Sequence, residues 1–326
     1  MGKKEGITMK KSMGLCLVVI GFAFLTFNIQ PIMGAGEYPS KPIQMLVAYR
    51  AGGTTDTMAR MLAKPVGDIL GQPVVVVNKP GGGGGVAATA LKNSEPDGYT
   101  LCMSTAITFT FNPHVGKFEY TLDDFEFIAA VAKFQEAFVS TPDKPWRDFE
   151  GLVDHAKTHP GLTWASMAPI DKVFLGYIGK KEGIEWRPVP TKGGAGVVAA
   201  VLGKHVDFGF SGGIHYSYAK AGKMIVLATP RPERLADFPD VPTLKDLGYD
   251  VEMSNFNTVA APKGTPPSVV KKLADAFSEA VKDSNYVDLL ENKIHFPPFF
   301  LGPVELEKTI RSDSESYRKM IQYVKE

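Results

Sequence analysis

Cysteine is nearly absent: the 326 residues contain two, Cys16 and Cys102. Cys16 stands inside an apolar N-terminal run rather than just after it, where a lipid-modified cysteine would be, so it is expected to leave with that segment. One remaining cysteine forms no internal disulfide, and Cys102, in a strand-like stretch, reads as a small buried apolar residue. Stability must come from a packed core. Charge of one sign is also missing. Lys and Arg number 36 against 35 Asp and Glu, a net of +1, which leaves no basic footprint for nucleic acid. Long apolar runs are missing too: the one at residues 14–27 is short of the roughly 20 residues a bilayer requires.

That run has another reading. Lys10 and Lys11 precede it, polar Asn28 and Gln30 follow, and Gly34-Ala35 supply small residues, the pattern of a secretory signal peptide cleaved near Ala35, with Met1 or Met9 as the start. Removing residues 1–35 takes away Lys3, Lys4, Lys10, Lys11 and Glu5 and shifts the net charge from +1 to −2. The mature chain, in a sequence 44% hydrophobic and 22% charged, is long enough for about two domains.

Residues 43–60, IQMLVAYRAGGTTDTMAR, read as a buried strand, a glycine turn and a helix. Thr54 or Thr55 is expected to N-cap the helix, with Asp56 in its first turn. Such a turn leaves backbone N–H groups pointing one way, where an anionic ligand group is held without Lys or Arg; the competing reading is a tight turn that binds nothing. Val74 to Val77 suggest a strand covered on both faces, and the five glycines 81–85 a flexible turn into a helix. The glycine run lacks the Gly-Lys-Ser/Thr of a phosphate loop and the spacing of a dinucleotide fingerprint. Ser104 and Thr105 fall at the carboxyl end of the strand 100–103, where ligands gather in open α/β sheets. A strand at 162–165 opens onto Ser166-Met167-Ala168-Pro169-Ile170-Asp171 and mirrors the first unit; another strand, Lys192-Gly193-Gly194 and a helix follow. The tail is helical, with Leu306, Ile310, Tyr317, Ile321 and Val324 on one face.

Two catalytic patterns compete. Gly209-Phe210-Ser211-Gly212-Gly213 matches G-x-S-x-G after a strand, and Asp237 or Asp250 and His295 follow in the order a secreted serine hydrolase requires, although an HGGG-type segment is missing. His155 and His159 have helical i, i+4 spacing, but no HExxH glutamate lies between them and Pro160 ends the helix. No metal or cofactor is expected.

Several islands match one family in order: PSKPIQMLVAYRAGGTTD, LGQPVVVVNKPGGGGGVAA, EPDGYTL, VPTKGG with LGKHVDFGF, DVPTLKDLGY and APKGTP. Together they resemble the TctC-like, Bug-type periplasmic receptors of tripartite tricarboxylate transporters. The resemblance implies an α/β, type II periplasmic binding protein fold with two lobes, a central cleft and two crossing strands. It also implies a small organic carboxylate bound in the cleft without chemistry, and delivery to membrane permease subunits or a sensor kinase by a monomer. Lobe one is expected at 36–135 and 256–326, lobe two at 136–255.

The family's AGG-S/T-x-D turn falls on Gly52, Gly53, Thr54, Thr55 and Asp56, after Tyr49 and Arg50, where Arg50 replaces the usual proline. In the facing lobe Ser166 survives, Met167, Ala168 and Asp171 stand in the changed loop, Thr191 replaces a tyrosine near Lys192 and Gly193, and Phe256 replaces a tryptophan. Loss of flexible polar donors there, with Phe109, Phe134, Met167, Ile170, Met253 and Phe256 expected beside the cleft, favours an aromatic or apolar monocarboxylate over citrate. Asp171 would welcome an ammonium group, which makes an amino acid the next candidate.

Overall fold

A computed structural model describes residues 38–326 apart from Lys117; the expected leader lies outside the described residues. Among these, the alternation of apolar runs and amphipathic stretches becomes ten strands, β1 (Ile43–Val47), β2 (Val74–Asn78), β3 (Thr100–Thr105), β4 (Phe125–Lys133), β5 (Ala137–Ser140), β6 (Thr163–Ser166), β7 (Arg187–Pro190), β8 (Phe208–Ser211), β9 (Ile225–Ala228) and β10 (Phe256–Pro262). Helix Thr54–Leu70 after β1 is typical of the helices that cover them. It buries Met58, Ala59, Leu62, Val66 and Leu70 at three- and four-residue steps and stops at Gly71, whose φ of 73° closes the last turn.

The strands form two five-stranded sheets with the same plan, β2-β1-β3-β10-β4 and β7-β6-β8-β5-β9. In each, three parallel strands are followed by one antiparallel strand, β10 or β5. That antiparallel strand is the first one formed after the chain crosses from the other sheet, at Phe134–Glu136 on the way out and at Asn255 on the return. The two crossings touch: the Phe134 N–H donates to the Asn255 carbonyl at 3.0 Å, and Asn255 Nδ2 donates to Glu136 Oε1 at 2.8 Å. The two crossings form one waist between the sheets.

A third element joins them. In helix Pro303–Lys325, Leu306 and Ile310 sit in the core beside Phe256 and Phe127, whereas Tyr317, Met320 and Ile321 sit in the core of the second sheet beside Phe111, Phe174 and Phe210. Between the two apolar stretches the same face buries Asp313 and Ser314.

Two sequence expectations change here. β2 is an edge strand, and Val75 and Val77 are 48% and 37% exposed, because four β-branched residues in a row do not reveal whether a second face is covered. The glycine run is a short 3-10 turn at Gly82–Gly84, held by hydrogen bonds from Thr108 Oγ1 and Asn112 Nδ2 to the Gly83 carbonyl at 2.9 and 3.0 Å. A side-chain clasp from 25 residues away replaces the expected flexible turn.

Candidate functional site

Register decides where the loops meet. Ser211, the last residue of β8, pairs with Ala137, one residue past the outward crossing; Thr105, the last of β3, pairs with Asn257, just past the return. The carboxyl ends of the parallel strands in both sheets therefore open onto the same inter-lobe space, the position that open α/β sheets use for ligands.

On the first lobe the turn after β1 is built around Asp56. Its carboxylate, 2% exposed, accepts the Gly52 N–H at 2.8 Å, Asn78 Nδ2 at 2.8 Å and Arg60 Nε at 3.0 Å. Burial by itself would raise its pKa, but Arg60, the Gly52 N–H and Asn78 outweigh burial and hold the carboxyl below its ordinary value. Asn78 also donates to the Tyr49 carbonyl at 3.0 Å, which ties the turn to the end of β2. The N-cap is Gly53, not a threonine, and no side chain caps the helix. Thr54, Thr55 and Asp56 occupy its first three positions, whose N–H groups lie ahead of the first intrahelical bond, Thr57 N–H to the Gly53 carbonyl. Thr54 is exposed and Thr55 is 5% exposed. Arg50 is exposed and makes no ion pair among the described residues, while its carbonyl accepts the Gly53 N–H.

Beside this turn runs a ladder of hydroxyls. Tyr49 OH lies 2.6 Å from Thr105 Oγ1, Ser104 Oγ lies 2.7 Å from Thr108 Oγ1, and Thr108 donates on to the Gly83 carbonyl. Ser104 is wholly buried and Thr105 8% exposed, so Tyr49, half-buried, is the rung that reaches solvent. Gly84, at φ 96°, admits no side chain: a Cβ would stand 2.4 Å from Thr108 Oγ1.

The second lobe repeats the aspartate with different surroundings. Asp171 Oδ2 accepts the Met167 and Ala168 N–H groups at 2.7 and 3.0 Å, and Oδ1 accepts Ser166 Oγ at 2.8 Å. No cation pairs with it among the described residues, it is fully buried, and burial pushes its pKa up to about 6 against those three bonds. The expected role for Asp171 as an ammonium partner gives way to an internal brace. Pro169 takes the first helical position, where its missing N–H leaves nothing unpaired. Met167 and Ala168 are half-buried, and Thr191 bonds the Ser166 carbonyl through both N–H and Oγ1. Lys192 and Gly193 are exposed at the start of helix Gly193–Leu202.

Of the six apolar residues expected beside the cleft, Phe134 and Met167 are partly exposed. Phe109 lies among Phe125 and Phe127, Ile170 and Met253 in the second-lobe core, and Phe256 is stacked on Phe299 at 5.2 Å. These four side chains turn into the cores.

The catalytic patterns do not assemble. Ser211 is wholly buried at a strand end, without the positive φ of a nucleophile elbow, and its oxygen meets His215 Nδ1 at 3.1 Å rather than His295. Burial lowers the His215 pKa to about 4, with no carboxylate among the described residues opposing it, and His295 stacks on Tyr216 instead. His155 and His159 stack face to face at 3.9 Å instead of converging, and no cluster of three potential metal ligands occurs among the described residues.

Fold and site together define a two-lobed solute-binding protein, and comparison with known proteins agrees. Residues 58–325 match the model of the tripartite tricarboxylate transporter family receptor. A UPF0065 protein from the gbd 5' region of Cupriavidus necator is 34% identical over 272 residues, covering 82% of this chain and 83% of that protein. Protein BugT of Bordetella pertussis is 30% identical, covering 83% and 86%. The crystal structure of a TctC solute binding protein from Polaromonas superposes with a TM-score of 0.76 at 27% identity, over 88% of this chain and 99% of that one. The chain belongs to the tripartite tricarboxylate transporter receptor family and has its type II periplasmic binding protein fold. No helix among the described residues is long and apolar enough to cross a membrane.

Sequence reading missed Thr108 and Asn112, which fasten the glycine turn; Ser104 lies in β3 and Thr108 in the short helix after it, so no single helical or strand spacing links them in the sequence. It also missed Asp313, a charge three residues after Ile310 and four before Tyr317 on the apolar stripe.

Proposed function

We propose that this chain is an exported receptor, cleaved near Ala35, that holds a small monocarboxylate with an aromatic or apolar body between its lobes. It hands that solute, chemically unchanged, to the permease subunits of a tripartite tricarboxylate-type transporter, with a sensor kinase as the alternative recipient. The lobes are 36–135 with 256–326, and 136–255.

The observation that carries this reading is the asymmetry of the two aspartate turns. On lobe one the N–H groups at Thr54 and Thr55 are free of internal acceptors among the described residues, Tyr49, whose OH meets Thr105 Oγ1, leads into the same turn, and the helix N-terminus favours an anion. Each charge-assisted bond to a carboxylate contributes about 1.5–3 kcal/mol. On lobe two Asp171 takes the Ser166 hydroxyl and the Met167 and Ala168 N–H groups for itself and Pro169 carries no N–H, so that turn has fewer donors left for a second carboxylate. A buried charge without partners is expensive. Half-buried Met167 and Phe134 offer apolar contact there instead, and roughly 100 Å² of ring surface buried at 25 cal/mol per Å² contributes some 2.5 kcal/mol.

Mass spectrometry of small molecules released from the purified protein tests the reading. An apolar or aromatic monocarboxylate recovered intact is expected; turnover of an ester that disappears in Ser211→Ala would contradict it.

A further inference from the structure

Gly212 and Gly213 are adjacent at the end of β8, yet only one of them needs to be glycine. At Gly213 the φ is 133° and a Cβ would lie 2.4 Å from Phe296 Cε1, so backbone and packing both exclude a side chain. At Gly212 neither constraint holds. Its φ lies outside the left-handed region, and a Cβ would meet Met167 Cε at 3.4 Å and Phe134 Cδ1 at 4.0 Å, ordinary van der Waals contacts. The fold would accept alanine there.

What the missing side chain leaves is room in a defined corner. Phe134 belongs to the outward crossing, Met167 to the β6 turn of lobe two, and Gly212 to the β8 turn; all three are partly exposed, at the carboxyl ends of the strands. The walls are braced from behind. Phe296 packs edge-on against Phe134 with ring centroids 5.3 Å apart and also fills the notch over Gly213. The Met167 backbone is fixed by its bond to Asp171, while its thioether adapts to the shape of what it touches.

We propose that Gly212 is a specificity-determining position: its bare backbone, between Phe134 and Met167, makes the slot in which the aromatic ring of the bound solute lies. This rests on the monocarboxylate reading above and sharpens it to planar rings. A ring edge-on to Phe134 and beside the Met167 sulfur meets both in favourable geometry. A short alkyl chain leaves the slot unfilled and does not depend on it.

The test is calorimetric titration of wild type, Gly212→Ala and Gly212→Leu with benzoate and with butyrate. One methylene in an apolar pocket changes discrimination by about 10–200-fold. Gly212→Ala is therefore expected to weaken benzoate about tenfold or more and leave butyrate within about twofold, and Gly212→Leu to remove benzoate binding while butyrate remains. Equal losses for both acids, or none, would overturn the role of Gly212 with the receptor reading intact. A wild type that binds neither acid would overturn both. Met167→Ala gives an independent check should the Gly212 variants unfold: widening the slot is expected to admit naphthoate more tightly relative to benzoate, and an unchanged ratio contradicts the proposal.

Discussion

The Asp171 carboxylate accepts the Met167 N–H at 2.7 Å, across the same four-residue step by which Asp56 accepts the Gly52 N–H in the other lobe. Each lobe thus fixes a turn between a parallel strand and a helix with an acid from the third position of that helix. The two differ in compensation, since Asp56 has an ion pair with Arg60 and Asp171 has none among the described residues, only the more distant charge of Lys172.

Asp171→Ala is expected to lower stability by about 1–3 kcal/mol, because it leaves the Met167 and Ala168 N–H groups and the Ser166 hydroxyl without their acceptor. Urea denaturation measures it. A midpoint equal to wild type would show that the turn is held by other contacts.

Thr54→Ala should leave stability nearly unchanged, since Thr54 is exposed and caps nothing, yet weaken the carboxylate by about 1 kcal/mol through loss of a hydroxyl donor. Thr55→Ala, nearly buried, is expected to weaken binding and stability together. Unchanged calorimetric affinity in the double variant would move the anion site away from this turn.

How far the sequence reaches is visible in these same residues. Asp56 and Asp171 are legible as first-turn acids, because capping preference and dipole are local rules. Their real partners, the N–H groups of the preceding loop, depend on a loop path that no local rule specifies. The strand-turn-helix rhythm and the family islands placed Thr54 and Thr55 at a helix start and Ser166 at a strand end. The face each residue presents was less accessible: Phe109, Ile170 and Phe256 are apolar near those ends, and a one-residue change of register separates core from cleft. Likewise the spacing of Leu306, Ile310, Tyr317 and Ile321 shows one apolar stripe but not that its halves enter different lobes.

Asp313, on that stripe, supplies a pH prediction. Its Oδ2 has no hydrogen-bond partner among the described residues, and burial together with Glu252 pushes its pKa up to about 8, with Lys133 opposing; nearby Tyr317 is neutral. Glu136, at the crossing, is raised to about 7 by burial, against Asn255, Arg231 and Lys133. Both groups keep in the folded state a proton that the unfolded chain releases near pH 4, so stability is expected to fall as pH rises from about 4 to about 8. Asp313→Asn should flatten the upper part of that slope and raise the melting temperature at pH 8. A melting temperature at pH 8 below wild type would mean that the carboxylate is ionised and paired.

Gly84→Ala is expected to destabilise by about 1–3 kcal/mol, since the methyl group would meet Thr108 Oγ1 at 2.4 Å and Ser104 Oγ at 2.8 Å at a φ of 96°. Ser104→Ala in the same chain removes one of those obstacles, and partial recovery of the denaturation midpoint is expected. Absence of any recovery would place the damage in the backbone conformation alone.

One lobe is expected to hold the carboxylate while the other, with Ser166, Met167 and Ala168 committed to Asp171, receives an apolar body. Isothermal titration of the wild-type protein with benzoate and with citrate tests this most directly. Benzoate binding with citrate silent or at least tenfold weaker is the result the account predicts; micromolar citrate binding with benzoate silent would contradict it.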